Sequence, residues 1–157
     1  MTSIKRAALP AQRRLILYMS MSLDGFAARH HGAPGSTSPT GELMNALGKV
    51  VFSSTLTELD RSNTRVSSRA VEEEIPELKA QPGKHILVFG GVSFARTLAA
   101  HGLIDEYRIN VQTVALGDGL PLLHGLPEPQ PLELVASTAW ADGPITQTYV
   151  PRQERTN

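Results

Sequence analysis

The run His85-Ile-Leu-Val-Phe89, followed at once by Gly90-Gly91, constrains this chain more than any other segment. A short apolar run of this kind reads as a buried strand. The two glycines then lead into a stretch with helical character, Ser93 to Ala100, that ends at His101-Gly102. A strand that feeds a helix through so short a turn belongs in an α/β sheet. The turn also puts bare backbone amides at a helix N-terminus. Free N–H groups and the helix dipole favour an anion there, and glycine permits close approach. Phe89, Gly90, Gly91, Val92 and Ser93 are therefore candidates for holding a phosphate. A tight strand–helix turn with no ligand also calls for glycine, and these residues alone leave both readings open.

The other elements fall around this one. Leu15 to Met21 is a β-rich apolar run ending at Leu23-Asp24-Gly25, a buried strand feeding a turn. Residues 29–41 are rich in His, Gly, Pro, Ser and Thr and read as a loop, and Glu42 to Leu47 as a short helix stopped by Gly48. Lys49-Val-Val-Phe-Ser53 predicts a second buried strand, Asn63 to Ser67 a weaker third, and Ala70 to Ala80 a helix interrupted by Pro76. Ile104 to Val114 predicts a long strand across the sheet. Leu132–Ser137 and Ile145–Val150 predict a terminal hairpin around Ala141-Asp-Gly-Pro144. One sheet is expected to hold Leu15–Met21, Lys49–Ser53, His85–Phe89 and Ile104–Val114.

Composition narrows the function classes. The chain has 157 residues, enough for one domain with a hydrophobic core, and its 15 basic residues balance 15 acidic ones. No long-range field would gather nucleic acid or an anionic membrane. There is no cysteine, so a disulfide framework, thiolate catalysis and cysteine-ligated metals are excluded. No apolar segment is long enough for a signal sequence or a membrane span, and a cytoplasmic protein is expected. Residues 1–13 read as a flexible basic tail, 14–151 as one domain and 152–157 as a second tail. The run Glu72-Glu73-Glu74 reads as the solvated start of a helix.

Further candidates sit at strand ends. Ser53, Ser54 and Thr55 place three hydroxyls at the carboxyl edge of an α/β sheet, where ligands collect; helix capping is the competing reading. Asp24 is the only carboxylate beside the end of the first strand, a candidate for handling a proton. It could equally order the Asp-Gly turn. His30 and His31 are adjacent and point apart in an extended loop, and no metal-ligand spacing appears. Trp140 and Tyr149 read as core residues of the hairpin.

Together these segments resemble the dihydrofolate-reductase-like superfamily. The nearer resemblance is to the RibD C-terminal domain family, the reductase domain of the bifunctional riboflavin-biosynthesis deaminase-reductase and its small relatives. Tyr18-Met-Ser-Met-Ser-Leu-Asp-Gly-Phe26 is similar to that family's opening strand and mobile loop over the nicotinamide. Met44 to Leu47 with Lys49-Val-Val-Phe-Ser-Ser-Thr-Leu56 is similar to its adenosine-side strand and the turn near the 2′-phosphate. Leu87-Val-Phe-Gly-Gly91 with Ala95-Arg96 resembles its pyrophosphate turn. Leu103 to Tyr107 through Leu116-Gly-Asp-Gly-Leu-Pro-Leu122 resembles its long strand and following loop. The resemblance runs from about Leu15 to Val150. It implies a three-layer α/β/α domain with a mixed, mostly parallel sheet and a C-terminal hairpin. It further implies NADPH as cofactor and reduction of a small pterin- or pyrimidine-like substrate.

One departure shapes the expectations. Family members carry a helix, a central strand and a second helix between the opening loop and the Lys-Val-Val-Phe strand. The second helix begins with a Gly-Arg-x-Thr type motif that holds cofactor phosphates. Here Ala27 to Gly48 fills that interval without the motif, whereas a strand and two helices need about thirty residues. The domain is thus expected to lack one central strand and its flanking helices, to bind NADPH weakly or not at all, and to form a homodimer or larger assembly. Three functions compete: an NADPH-dependent reductase, a small-molecule module of the same fold that has lost the nicotinamide, and an interaction protein whose sheet is completed by another copy.

Overall fold

The computed structural model describes residues 12–27, 39–89 and 91–152. The chain divides into two compact units, Met1–Ala28 with Ile75–Asn157, and Arg29–Glu74. The elements in chain order are β1 (Leu15–Met21), β2 (Phe26–Ala27), α1 (Pro39–Ala46), β3 (Lys49–Phe52), β4 (Thr64–Ser67) and α2 (Val71–Ala80). They continue with β5 (Ile86–Val88), α3 (Val92–Ala100), β6 (Glu106–Val111), β7 (Leu120–Pro121), β8 (Leu132–Ala139) and β9 (Ile145–Pro151). Among the described residues no helix is long and apolar enough to cross a membrane.

In the first unit, β7-β2-β1-β6-β9-β8 follow one another in a seven-stranded mixed sheet, and β5 also pairs with β1. The strands β5, β1 and β6 are parallel, and β9 and β8 complete the sheet antiparallel. Register partners share a face of a sheet, and faces alternate along each strand. One face therefore carries Leu15, Leu17 and Met19 of β1, Tyr107 and Ile109 of β6, and Val88 of β5, all buried. The crossover from β5 to β6 carries α3 over β1, and Ala95, Leu98 and Ala99 are its buried side. The α3 helix ends in a Schellman arrangement, with Leu103 N–H on Leu98 C=O and Gly102 at φ 63°.

The opposite face is different. Tyr18, Arg108, Thr148 and Ala136 form one row across four strands, and Ser20, Asn110, Thr146 and Thr138 form the next. Tyr18 is 45% exposed. Glu106 is buried on this face, its carboxylate accepting from Arg108 at 2.6 Å and Arg14 at 3.2 Å. Beyond β6 both faces open up, and β8 is exposed on each side from Glu133 onward.

The second unit holds α1 and a parallel pair, β3–β4. This corrects the expectation of a single sheet: among the described residues Lys49–Phe52 pairs with Thr64–Ser67 in a two-stranded sheet of its own. The only described element between β2 and β3 is α1, so no described strand from that interval adds to β3. Lys49 ends α1 electrostatically, its Nζ donating to the carbonyls of Met44, Asn45 and Leu47.

Other expectations need adjustment. Pro76 does not interrupt α2 but sits inside it. Burial of Val71, Ile75 and Leu78 along one side outweighs the single backbone bond a proline removes. Glu74 is not solvated: it is 3% exposed and accepts from Arg65, Ser67 and Arg69. Hydrogen bonding from Arg65, above all, holds its carboxyl below the usual carboxylate range. The strand read as Ile104 to Val114 is shorter, Glu106–Val111, because Ile104 turns into the core before it. Trp140 is not core but 55% exposed.

Candidate functional site

Three parallel strands bring their carboxyl ends to one edge of the first unit's sheet, so the turn after β1 and the N-terminus of α3 lie along that edge. The turn after β1 is closed by Gly25 N–H on Ser22 C=O and by Ser22 N–H on Phe26 C=O. Gly25 has φ 87°, a backbone that favours glycine. The Ser22 hydroxyl donates to Asp24 Oδ1 at 2.5 Å and accepts from Phe26 N–H at 3.1 Å.

Asp24 reaches the loop that follows β6. Its carboxylate accepts from the amides of Leu116 at 3.1 Å and Gly117 at 2.7 Å. The Ser22 hydroxyl and then the Gly117 amide lower its pKa to about 2. At neutral pH such a carboxyl is an anion with no proton to give. The geometry therefore favours the turn-ordering reading of Asp24 over that of a proton donor.

Gly91 caps α3 with φ −65° and ψ 153°, and no side chain caps the helix there. Intrahelical bonding starts with Ala95 N–H on Gly91 C=O at 3.2 Å, so the amides of Val92 and Ser93 precede it. Any residue adopts this backbone, and a Cβ at position 91 would meet nothing within 4 Å. Neither φ nor packing demands glycine at 91; glycine is a favoured N-cap residue, and its lack of a side chain also leaves room for a close approach to the helix end. Phe89 at this edge is exposed. Gly90, like His30 and His31, lies outside the described residues.

The hydroxyl cluster belongs to the second unit. Ser53 Oγ accepts from the amides of Thr55 at 3.2 Å and Leu56 at 3.0 Å, which closes a turn after β3. No helix follows β3 directly, so helix capping is ruled out for these residues. Ser54 and Thr55 are exposed.

A further group was not legible as a site. On the open sheet face, Trp140 Nε1 donates to Thr146 Oγ1 at 2.8 Å, and Thr146 Oγ1 donates to Asn110 Oδ1 at 3.3 Å. Asn110 stands opposite Ser20, two residues before the turn that holds Asp24. The available signal was alternation: Arg108 and Asn110 are polar between Tyr107, Ile109 and Val111. Among the described residues no three metal-ligating side chains gather.

Comparison with known proteins decides the kinship. A family model described as the RibD C-terminal domain matches residues 33–146. The chain belongs to this family. An uncharacterized protein, YyaP of Bacillus subtilis, is 31% identical to this RibD C-terminal domain over 136 residues, covering 85% of this chain and 72% of YyaP. A putative riboflavin biosynthesis protein from Shewanella superposes with a TM-score of 0.68 at 21% identity, covering 89% of this chain and 99% of its own. A dihydrofolate reductase from Enterococcus faecalis, solved in complex with NADP(H), superposes with a TM-score of 0.60 at 12% identity, covering 90% and 98%. The dihydrofolate-reductase-like α/β fold expected from the motif order is thus the fold of this RibD C-terminal domain.

Proposed function

We propose that this RibD C-terminal domain is a reductase that uses NADP(H) to reduce a small pterin- or pyrimidine-like heterocycle. The observation that carries the reading is Gly91, a glycine at the N-terminus of α3 that neither its backbone angles nor its neighbours require. A phosphate approaching the Val92 and Ser93 amides would account for it. The nicotinamide supplies the hydride chemistry when bound. The chain's own part is to hold the phosphate at α3, to order the turn after β1 through Asp24, and to seat the substrate on the open face beside Ser20 and Asn110. NADPH oxidation with a panel of oxidised pterins and ribosylaminouracils tests the reading. Turnover with one of them supports it, and a chain that binds no NADPH even at millimolar concentration overturns it in favour of a small-molecule module that has lost the nicotinamide.

The same domain is proposed to work as a homodimer joined through β8 and β9. Support comes from Leu134, Val135 and Ile145, all exposed on a ribbon whose outer strand is a sheet edge. The β8 strand carries one charge, Glu133, and neither Lys, Arg nor Pro to discourage pairing. An edge strand pairing antiparallel with its own copy generates a twofold axis and a self-complementary surface. With a formal net charge of zero, two copies do not repel at long range.

A further inference from the structure

From the hydrogen-bond chain on the open face we infer that Asn110 determines specificity, its side-chain NH2 group reading a carbonyl oxygen on the bound heterocycle. The inference rests on the seating of the substrate proposed above.

An indole N–H donates and never accepts. Trp140 Nε1 donates to Thr146 Oγ1, and the hydroxyl donates its single proton in a hydrogen bond to Asn110 Oδ1. The amide oxygen of Asn110 is thereby turned toward β9, and its NH2 group away from it. The next strand on that side is β1, where the register partner is Ser20. The two N–H donors are thus turned away from Thr146, on the row that Asn110 shares with Ser20, next to the row of Tyr18 and Arg108. Asn110, Thr146 and Ser20 are half-buried, so the donors are sheltered without being closed off.

A fixed pair of donors matches a lactam carbonyl and clashes with an amino group, itself a donor. A site built to bond one partner rejects the mismatch because its own polar groups are left unpaired. Trp140 acts here as a positioning residue. An exposed side chain has water for its indole N–H and needs no protein acceptor; the bond to Thr146 occupies one lone pair of its hydroxyl and so favours donation of the hydroxyl proton to Asn110 Oδ1.

Calorimetric titration of the full chain, without cofactor, tests this with two probes of equal size, uracil and 2,4-diaminopyrimidine. Wild type is expected to bind uracil at least about tenfold more tightly. Asn110→Asp, which replaces donors with acceptors, should reverse that order. Trp140→Phe, at an exposed position where the fold tolerates change, should bring the two affinities within about threefold by freeing the amide to rotate. Equal binding of both probes by wild type, binding of neither, or an unchanged preference in a folded Asn110→Asp variant overturns the inference. The probes are read without NADPH, so the two proposals fail separately. Selectivity through Asn110 in a chain that never oxidises NADPH keeps this inference and removes the reductase reading. Turnover with selectivity unmoved by Asn110→Asp does the reverse.

Discussion

The Asp24 carboxylate accepts the amide of Gly117 at 2.7 Å, joining positions 93 residues apart in the chain. This bond and its partner at Leu116 tie the turn after β1 to the loop after β6. Because its pKa in the fold, about 2, lies below the ordinary 3.8, the tie stabilises the fold above the ordinary value. It is lost as pH falls through 2. The Gly117 amide shift, followed by NMR, should titrate with a midpoint near 2 and stay flat down to pH 2 in Asp24→Asn. A midpoint near 4 in wild type would mean that the tie does not form in solution.

Replacing Gly91 with Val separates binding from folding. The backbone there suits any residue and the added side chain meets open space, so stability should fall by no more than about 1 kcal/mol, the cost of a poorer N-cap residue. A β-branched side chain would nonetheless block a phosphate from the helix end. NADP(H) affinity should fall at least about tenfold, equivalent to about 1.4 kcal/mol. Equal affinity in a stable variant removes the phosphate from this position.

Glu74→Gln should destabilise the fold by about 1–3 kcal/mol in urea denaturation. A fully buried ion pair broken on one side costs about 3–5 kcal/mol. Here Arg65 and Arg69 are roughly half exposed and recover water, which lowers the cost. Since the Glu74 carboxyl is held below its usual range, its contribution is present above that range and fades as pH falls through the folded value. The wild-type and Gln curves should converge in acid, and a gap that stays constant to low pH would show that charge is not the cause.

These residues also mark where reading the sequence reaches its limit. β1 and β9 were legible because apolar runs bounded by turn residues leave few alternatives. The run read as a buried strand over His85–Phe89 is only Ile86–Val88, paired with β1 alone among the described residues and with Leu87 and Phe89 exposed. An apolar run does not show how many neighbours its strand will have. Glu74 was not, since Glu72, Glu73 and Glu74 are chemically identical and only the helical phase relative to Arg65 and Ser67 selects one for burial. The tie from Asp24 depends on a loop more than ninety residues away, which no local pattern reports. Trp140 looked like core because large aromatics usually are, yet it sits in the turn of the hairpin, where it is exposed. The strand–helix turn was visible as Gly-Gly, but only its dihedral angles show that Gly91 needs no left-handed backbone.

The hairpin interface is testable by light scattering after size exclusion. Wild type should run as a dimer, and Leu134→Lys on the exposed ribbon should yield a folded monomer. A monomeric wild type, or a Lys variant that stays dimeric, rejects the assembly through this surface.

Trp140 is the single tryptophan of the chain. It stands outside the core, bonded through its indole to the face where substrate is proposed to sit. The protein therefore carries its own optical reporter in an unusual place. Its intrinsic emission should already be red-shifted in the native state and respond weakly to global unfolding. It should instead change when a molecule settles on the sheet or when the indole hydrogen bond breaks. Stopped-flow fluorescence of the unlabelled chain can then time ligand arrival directly, in an experiment where most proteins would report only the loss of their fold.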